Sequence, residues 1–483
     1  MIPDGRIELF AVDARAARAQ KALEQARALL STKPGREEAR SRDPFEGVRD
    51  VAGQSTFKAL RELDVGAAQE LHRDALVRWV HELLQARVGW ELTVDEADAV
   101  HAPDPTLASR AARERAIMST PSGPLPGAAP DLGATLVTFD VARRALIEAA
   151  APAAAEIAFR RLDELALPVV AVRNELRARR FEAARRLGLE HPWSLAVSAD
   201  GGVRALDELA RAVLDATEPL ASELHKDLRR RAGRVEPWLT IHDSFARDAR
   251  EGWPARLTAR WLEDVFRTLA PRAPRVAALP PALGGASFLR AAATWGFGLR
   301  LGGIARSSPF ALARDPYPVD AHLFAGTLAV AVADRVFAKR KLGVPSRAAD
   351  AHARVLGRSL FLEVRTRAAA LVAGMRDSAR DSDLEELTAR VFGAPFPRAL
   401  AAAWSFGGLA GSARVDAPAR LVAAVRTHDF VRTLVERFDE DWFDNPRAAA
   451  HLASIAAGPV WQGDVPQPDV ARALARAFEE SIG

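Results

Sequence analysis

Apolar residues recur along most of the chain at three- and four-residue spacing, the period that gathers side chains onto one face of an α-helix. Residues 11–30, AVDARAARAQKALEQARALL, show this pattern first, and Lys33-Pro34-Gly35 predicts its end, with a charged loop following to Asp50. From Ser55 to Val100 the spacing predicts two or more amphipathic helices. Their buried stripe carries Leu60, Leu63, Leu71, Leu76, Trp79, Val80, Leu83 and Leu84. Long helices are predicted over 139–166 and 169–187, the second closed by Gly188 in the usual C-terminal position. Others follow over 206–231, 238–249 and 254–269, the last with Pro254 in its first turn, where a missing N–H costs nothing. Gly284–Val336 then reads as a glycine-rich apolar helix, a proline-marked turn and the longest apolar helix of the chain. Residues 346–375, 383–391, 399–409, 418–442 and 468–482 complete the predicted set.

Period-two alternation is confined to weak strand candidates at Arg6–Val12 and Thr135–Thr138, so the predicted class is all-α, a large multi-helix bundle. No fixed-period repeat is present, which favours a bundle over a solenoid. The run STPSGPLPGAAPDLG holds four prolines and three glycines and can continue neither regular structure. It divides the chain into an N-terminal helical region (1–100), a linker or long loop (101–135) and a main helical domain (136–483). A second proline-rich break spans Pro271–Pro281.

Composition narrows the chemistry. With 483 residues, 49% of them hydrophobic, the chain can bury a large core. It has no cysteine, which excludes disulfides, thiolate nucleophiles and cysteine-ligated metals; a metal site would need His, Asp and Glu. The net charge of +4 rests on arginine, since only Lys21, Lys33, Lys58, Lys226, Lys339 and Lys341 are lysines. That usage, with the single tyrosine Tyr317, points to a GC-rich bacterial genome. Charges alternate in sign along the helices, so nucleic acid is not an expected partner. Arg229, Arg230 and Arg231 precede Gly233 at a predicted helix end, where cations complement the helix dipole. MIPDGRIELF lacks a signal-peptide pattern, and no window offers about 18 uninterrupted apolar residues. A soluble cytoplasmic protein without a membrane span is expected.

Candidate sites are few. GFGLRLGG does not have phosphate-loop spacing and no strand precedes it, so its glycines are read as close helix packing. His72 and His81, nine residues apart, do not form a one-turn zinc pair and are read as a surface and a packing histidine. His225, between Glu223 and Asp227, and His242, beside Asp243, could share a metal only through the tertiary fold. No Gly-x-Ser-x-Gly elbow occurs. The densest polar cluster runs from Asp315 to His322. In a functional reading Tyr317, Asp320 and His322, with Arg306 and Trp295, line a ligand cleft. In a structural reading Asp315 forms a turn, Asp320 caps a helix and His322 sits in its first turn. His428–Pro446 sets Phe430, Phe438 and Trp442 near one helical face among acidic residues, read as core first and as an acidic partner surface second.

One segment resembles a known family. Val172–Leu224, VRNELRARRFEAARRLGLEHPWSLAVSADGGVRALDELARAVLDATEPLASEL, resembles the helical body of the oligoendopeptidase and peptidyl-dipeptidase group of zinc metallopeptidases, the gluzincins. Asn174, Glu175, Leu176, Leu187, Gly188, Trp193 and Thr217 take the family's places. The resemblance implies a mostly helical, two-lobed, clefted fold with a His-Glu-x-x-His helix farther on, where two imidazoles hold zinc and a glutamate activates its water. Matching the family's glycine to Gly296 puts Ala293 and Phe297 at the ligand positions and Thr294 at the glutamate. None can do that chemistry, and the motif occurs nowhere in the chain. The expectation is a catalytically inactive, metallopeptidase-like protein with no cofactor, which binds a protein or peptide partner or serves as a scaffold. The competing class is an enzyme, a hydrolase first, with a site assembled from distant residues. Ala293, Thr294 and Phe297 are expected to face the central cleft.

Overall fold

The computed structural model describes residues 8–102, 138–147, 149, 151–196, 202–246, 259–266, 269, 285–305, 307–376, 381–407, 417–458 and 465–483. Among these residues every regular element is helical, so the fold is all-α. Residues 9–12 of the strand candidate near the N-terminus are instead the start of helix Leu9–Leu29; its residues 6 and 7, residues 135–137 of the second candidate, the 103–135 part of the linker and Pro271–Pro281 lie outside the described residues.

Local chemistry accounts for where the helices start and stop. The charged loop expected after Lys33 is in fact a second helix, Lys33–Ser41. Thr32 accepts the N–H of Gly35 at 3.2 Å and Pro34 sits in the first turn, so the proline opens a helix here. Three helices, Gln54–Glu62, Ala67–Val88 and Trp90–His101, fill the next predicted region. The 139–166 stretch divides into Phe139–Ile147 and Pro152–Glu164, and 206–231 into Val203–Ala216 and Glu218–Ala232, each second helix carrying proline in its first turn. Gly188 closes Ala166–Arg186 at φ +73°, a left-handed conformation that glycine adopts without steric cost. The helix Pro446–Ala457 has no counterpart in the predicted set; Asn445 caps it by accepting the N–H of Arg447.

The interior forms three apolar clusters. One joins the N-terminal helices to Ala183, Ala184, Leu187, Leu189, Leu195 and Ala311, so residues 9–94 share a core with parts of the chain far downstream. Leu60, Leu76, Trp79, Val80, Leu83 and Leu84 of the predicted stripe are buried in it, whereas Leu71 is 41% exposed. The second cluster surrounds Ser346–Gly374, at 29 residues the longest described helix, which has Val203–Ala216, Asp381–Phe392, Arg398–Gly407 and Val470–Ile482 against it. The third holds Gly285–Gly303, Val319–Ala333 and Pro446–Ala457, with Phe438, Trp442 and Phe443.

Gly285–Gly303, Val319–Ala333 and Ala417–Phe438 pack side by side in that order. The first pair approaches so closely that a Cβ on Gly296 would lie 2.2 Å from the carbonyl oxygen of Phe324. Glycine is required there by proximity, the role expected for this run. Two charged anchors tie distant segments together. Asp13, 7% exposed, accepts the backbone N–H groups of Phe310 and Ala311 at 2.8 Å each and meets His72 Nε2 at 3.1 Å. Arg365, fully buried, donates to Leu214 O, Thr217 Oγ1, Arg390 O and Glu218 Oε2 at 2.7–3.1 Å.

Candidate functional site

Helix Gly285–Gly303 reaches its cleft through Ala293, Thr294 and Phe297, one turn of a single face. The three line a cavity of about 610 Å³ together with His322 from Val319–Ala333. Arg143 and Arg144 form another part of its wall, with Glu363 and Arg367 from Ser346–Gly374, and Arg420, Thr427 and His428 from Ala417–Phe438. The ring of Phe297 lies against His322, centroids 5.2 Å apart. The Thr294 hydroxyl is taken up by the carbonyl of Arg290, 2.7 Å away in the preceding turn.

A zinc ion of the kind the resemblance implies does not fit this donor set. Alanine and phenylalanine offer no lone pair, and Thr294 is no substitute for a carboxylate base; the imidazoles that line the cavity, His322 and His428, come from other helices. Among the described residues no group of three or more His, Asp or Glu side chains is placed to hold a metal ion. His225 and His242 are accounted for otherwise. Burial holds the His225 imidazole down to about 4. The acids near these histidines, Asp227 and Asp243, are bridged by Arg231 at 2.9–3.0 Å, with Arg358 beside them.

A larger cavity, about 770 Å³, opens on the other side of Phe297 and Arg143, which line both. Trp79, Phe139 and Leu301 give it apolar wall. Its charged wall is mostly paired: Arg173 with Glu96 at 2.6 Å, Arg300 with Asp320 at 2.6 Å, Arg143 with Asp140 at 2.6 Å, and Asp315 with Arg78 at 2.9 Å. Burial raises the Asp315 carboxyl to about 6, against the opposing pull of Arg78 and the Tyr317 N–H. Arg180 also lines this wall at 8% exposure. Burial lowers its proton affinity, and the nearby Glu82 and Glu96 carboxylates partly restore it.

The predicted ligand residues are therefore distributed. His322 lines the smaller cavity and Asp320 the larger. Asp320 lies inside the first turn of its helix, past the N-cap position expected for it; its carboxylate accepts the Ala321 N–H at 2.8 Å and pairs with Arg300, which also donates to the carbonyl of Ala456 at 2.7 Å. Asp315 forms the expected turn, accepting the Tyr317 N–H at 2.9 Å. Tyr317 is fully buried with its hydroxyl 3.4 Å from His81 Nδ1, and lines neither cavity. Trp295, 5% exposed, packs against Phe266. Arg306 lies outside the described residues. His72, expected on the surface, is buried against Asp13; His81, buried and held down to about 3 by desolvation, is the expected packing histidine. The acidic, aromatic segment near 440 has Phe438, Trp442 and Phe443 in the core, while Asp441 pairs with Arg340 and Asp444 with Lys341.

Arg180 and Arg143 are not singled out by the sequence patterns above. A signal exists for the first: Arg173, Arg177 and Arg180 recur at i, i+4 and i+7, and all three are buried. Three arginines on the inward face of a helix call for partners or a ligand.

No protein-family model matches the chain, and no curated protein matches it. Solved structures do. PZ peptidase A, determined with an inhibitor, superposes with a TM-score of 0.50 at 12% identity, over 99% of this chain and 98% of that one. A protein described as an oligoendopeptidase F gives 0.47 at 14% identity with the same coverage. Oligoendopeptidase-F from Enterococcus faecium gives 0.40 at 9% identity, again over 99% and 98%. Over nearly its whole length this chain has the fold of PZ peptidase A, a helical peptidase fold of the type that Val172–Leu224 resembles.

Proposed function

We propose that the protein binds a peptide-like ligand in the cleft around Phe297 and does not cleave it. The observation that carries this reading is the lining of the smaller cavity. Ala293, Thr294 and Phe297, which the resemblance matches to the family's zinc-binding helix, line an open space large enough for a ligand. A volume of about 610 Å³ lies within the roughly 300–1,000 Å³ of typical ligand sites. In this reading Ala293 and Phe297 put apolar surface where a catalytic centre would be, and charged side chains form part of the surrounding wall, Arg144 paired with Asp140 and Arg367 with Glu363. Loss of the chemistry with retention of the cleft is the pattern of a binding protein.

Fluorescence polarisation with short labelled peptides, followed by mass spectrometry of the recovered peptides, tests this. Saturable binding of intact peptides is expected, weakened by Ala293→Phe, which fills the cavity. Turnover that a chelator abolishes would replace this reading with an active metallopeptidase.

A further inference from the structure

We propose that Arg180 is an anion subsite for a ligand carrying one free carboxylate next to an apolar group, as in a peptide C-terminus or a free aromatic acid. The other arginines on its helix are committed. Arg173 donates to Glu96 and to the carbonyl of Ala403, and Arg177 donates to the carbonyl of Ala373 at 2.8 Å. Arg180 makes no hydrogen bond or ion pair among the described residues, and its Nε is buried without a hydrogen-bond partner. More than nine-tenths of this side chain is buried, in the wall of a cavity of about 770 Å³. Holding a guanidinium out of water without an anion is costly. The fields of Glu82 and Glu96 reduce that cost but supply no hydrogen bond to it. A bound carboxylate would supply two, because its oxygens match the planar fork of the guanidinium.

The rest of the wall narrows the ligand. Trp79, Phe139, Phe297 and Leu301 would cover an apolar or aromatic group. Glu24, Glu82 and Asp140 line the same space, so a dianion such as phosphate meets repulsion that a single carboxylate largely avoids. The peptide form of this ligand rests on the function proposed above; the free-acid form does not.

Calorimetric titration of the full chain separates these cases, with N-acetyl-alanyl-phenylalanine, its C-terminal amide, 3-phenylpropanoate and inorganic phosphate as probes. The acid peptide is expected to bind at least about tenfold more tightly than the amide. Arg180→Gln should abolish that preference, Arg180→Lys should keep part of it, and phosphate should not compete. Binding of 3-phenylpropanoate alone, lost in Arg180→Gln, supports the subsite and removes the peptide reading. Equal affinity for acid and amide, no binding of either acid, an unchanged preference in Arg180→Gln, or competition by phosphate overturns the proposal. The ligand-free Arg180→Gln variant should melt at or above the wild-type Tm, since a buried unpaired charge has been removed. A clear drop would mark Arg180 as a structural residue and also overturn the proposal.

Discussion

Gly296→Ala sets two physical effects of opposite sign against each other. Helix propensity alone predicts a gain of about 0.5–1 kcal/mol, because alanine restricts the unfolded chain and favours the helix. Packing predicts a loss. The added methyl would lie 2.2 Å from Phe324 O, 2.7 Å from Phe324 C and 2.9 Å from Ala325 Cα, all backbone atoms that cannot rotate away. Restoring ordinary contact requires the helices Gly285–Gly303 and Val319–Ala333 to separate by about 1 Å. Val319–Ala333 has little room to retreat, since on its other side a Cβ at Gly326 would lie 2.4 Å from Thr427 Oγ1. Overpacking of this kind costs about 1–3 kcal/mol, and the absence of slack places this case at the upper end. The net expectation is a loss of about 2 kcal/mol. Urea unfolding of Gly296→Ala, with the exposed helical position Gly302→Ala as control, measures it. The control should be stabilised by a few tenths of a kcal/mol to about 1 kcal/mol. A Gly296→Ala midpoint at or above wild type would refute the close helix approach on which the cavity geometry depends.

Other expectations follow from the buried polar groups. Arg365→Ala removes the cation that holds Glu218, Thr217 and two backbone carbonyls together, and should cost about 3–5 kcal/mol in denaturant unfolding. Asp13→Ala strips the acceptor from the N–H groups of Phe310 and Ala311 and from His72, and should cost about 2–4 kcal/mol. Stability should fall with acid. Burial holds His191, His225 and His428 down to about 4 and His81 to about 3, so the unfolded chain binds more protons below about 6.5. Each contributes a slope of up to about 1.4 kcal/mol per pH unit from about 6.5 down to its folded value. Asp315, raised to about 6, binds its proton first in the folded state and offsets one of the four between about 6 and 4. Urea midpoints between about pH 7 and 5 should therefore decline, less steeply in His428→Gln; a flat or rising profile contradicts the assignment.

The all-α class and most helices were legible because period 3.6 survives in the apolar positions whatever the tertiary fold. Breaks and starts were harder where one residue type serves both. Pro34 reads as a terminator, yet with Thr32 as cap it begins a helix, and Pro446 with Asn445 does the same. The likeness of another segment, Val172–Leu224, directed attention to Gly285–Gly303, and that helix lines a cavity through Ala293, Thr294 and Phe297. Tyr317 misled because polar clustering in sequence does not say which way a hydroxyl points; its partner, His81, is 236 residues away. Arg180 was hidden for the same reason. Its significance lies in lacking the partners that Arg173 and Arg177 find in helices distant in sequence, and pairing of that kind is settled only by the fold.

Zinc stoichiometry tests the central claim most directly: that the helix of a peptidase fold faces its cleft without the means to hold metal. Purified wild-type protein and the triple variant Ala293→His/Thr294→Glu/Phe297→His would be measured by plasma mass spectrometry after equilibration with zinc and gel filtration. The variant sets two new imidazoles one turn apart, the spacing of a zinc pair, on the wall that His322 also lines, where the Phe297 and His322 rings lie 5.2 Å apart. The account predicts negligible zinc in the wild type and about one per chain in the variant. Stoichiometric zinc in the wild type, or none in a folded triple variant, would contradict it.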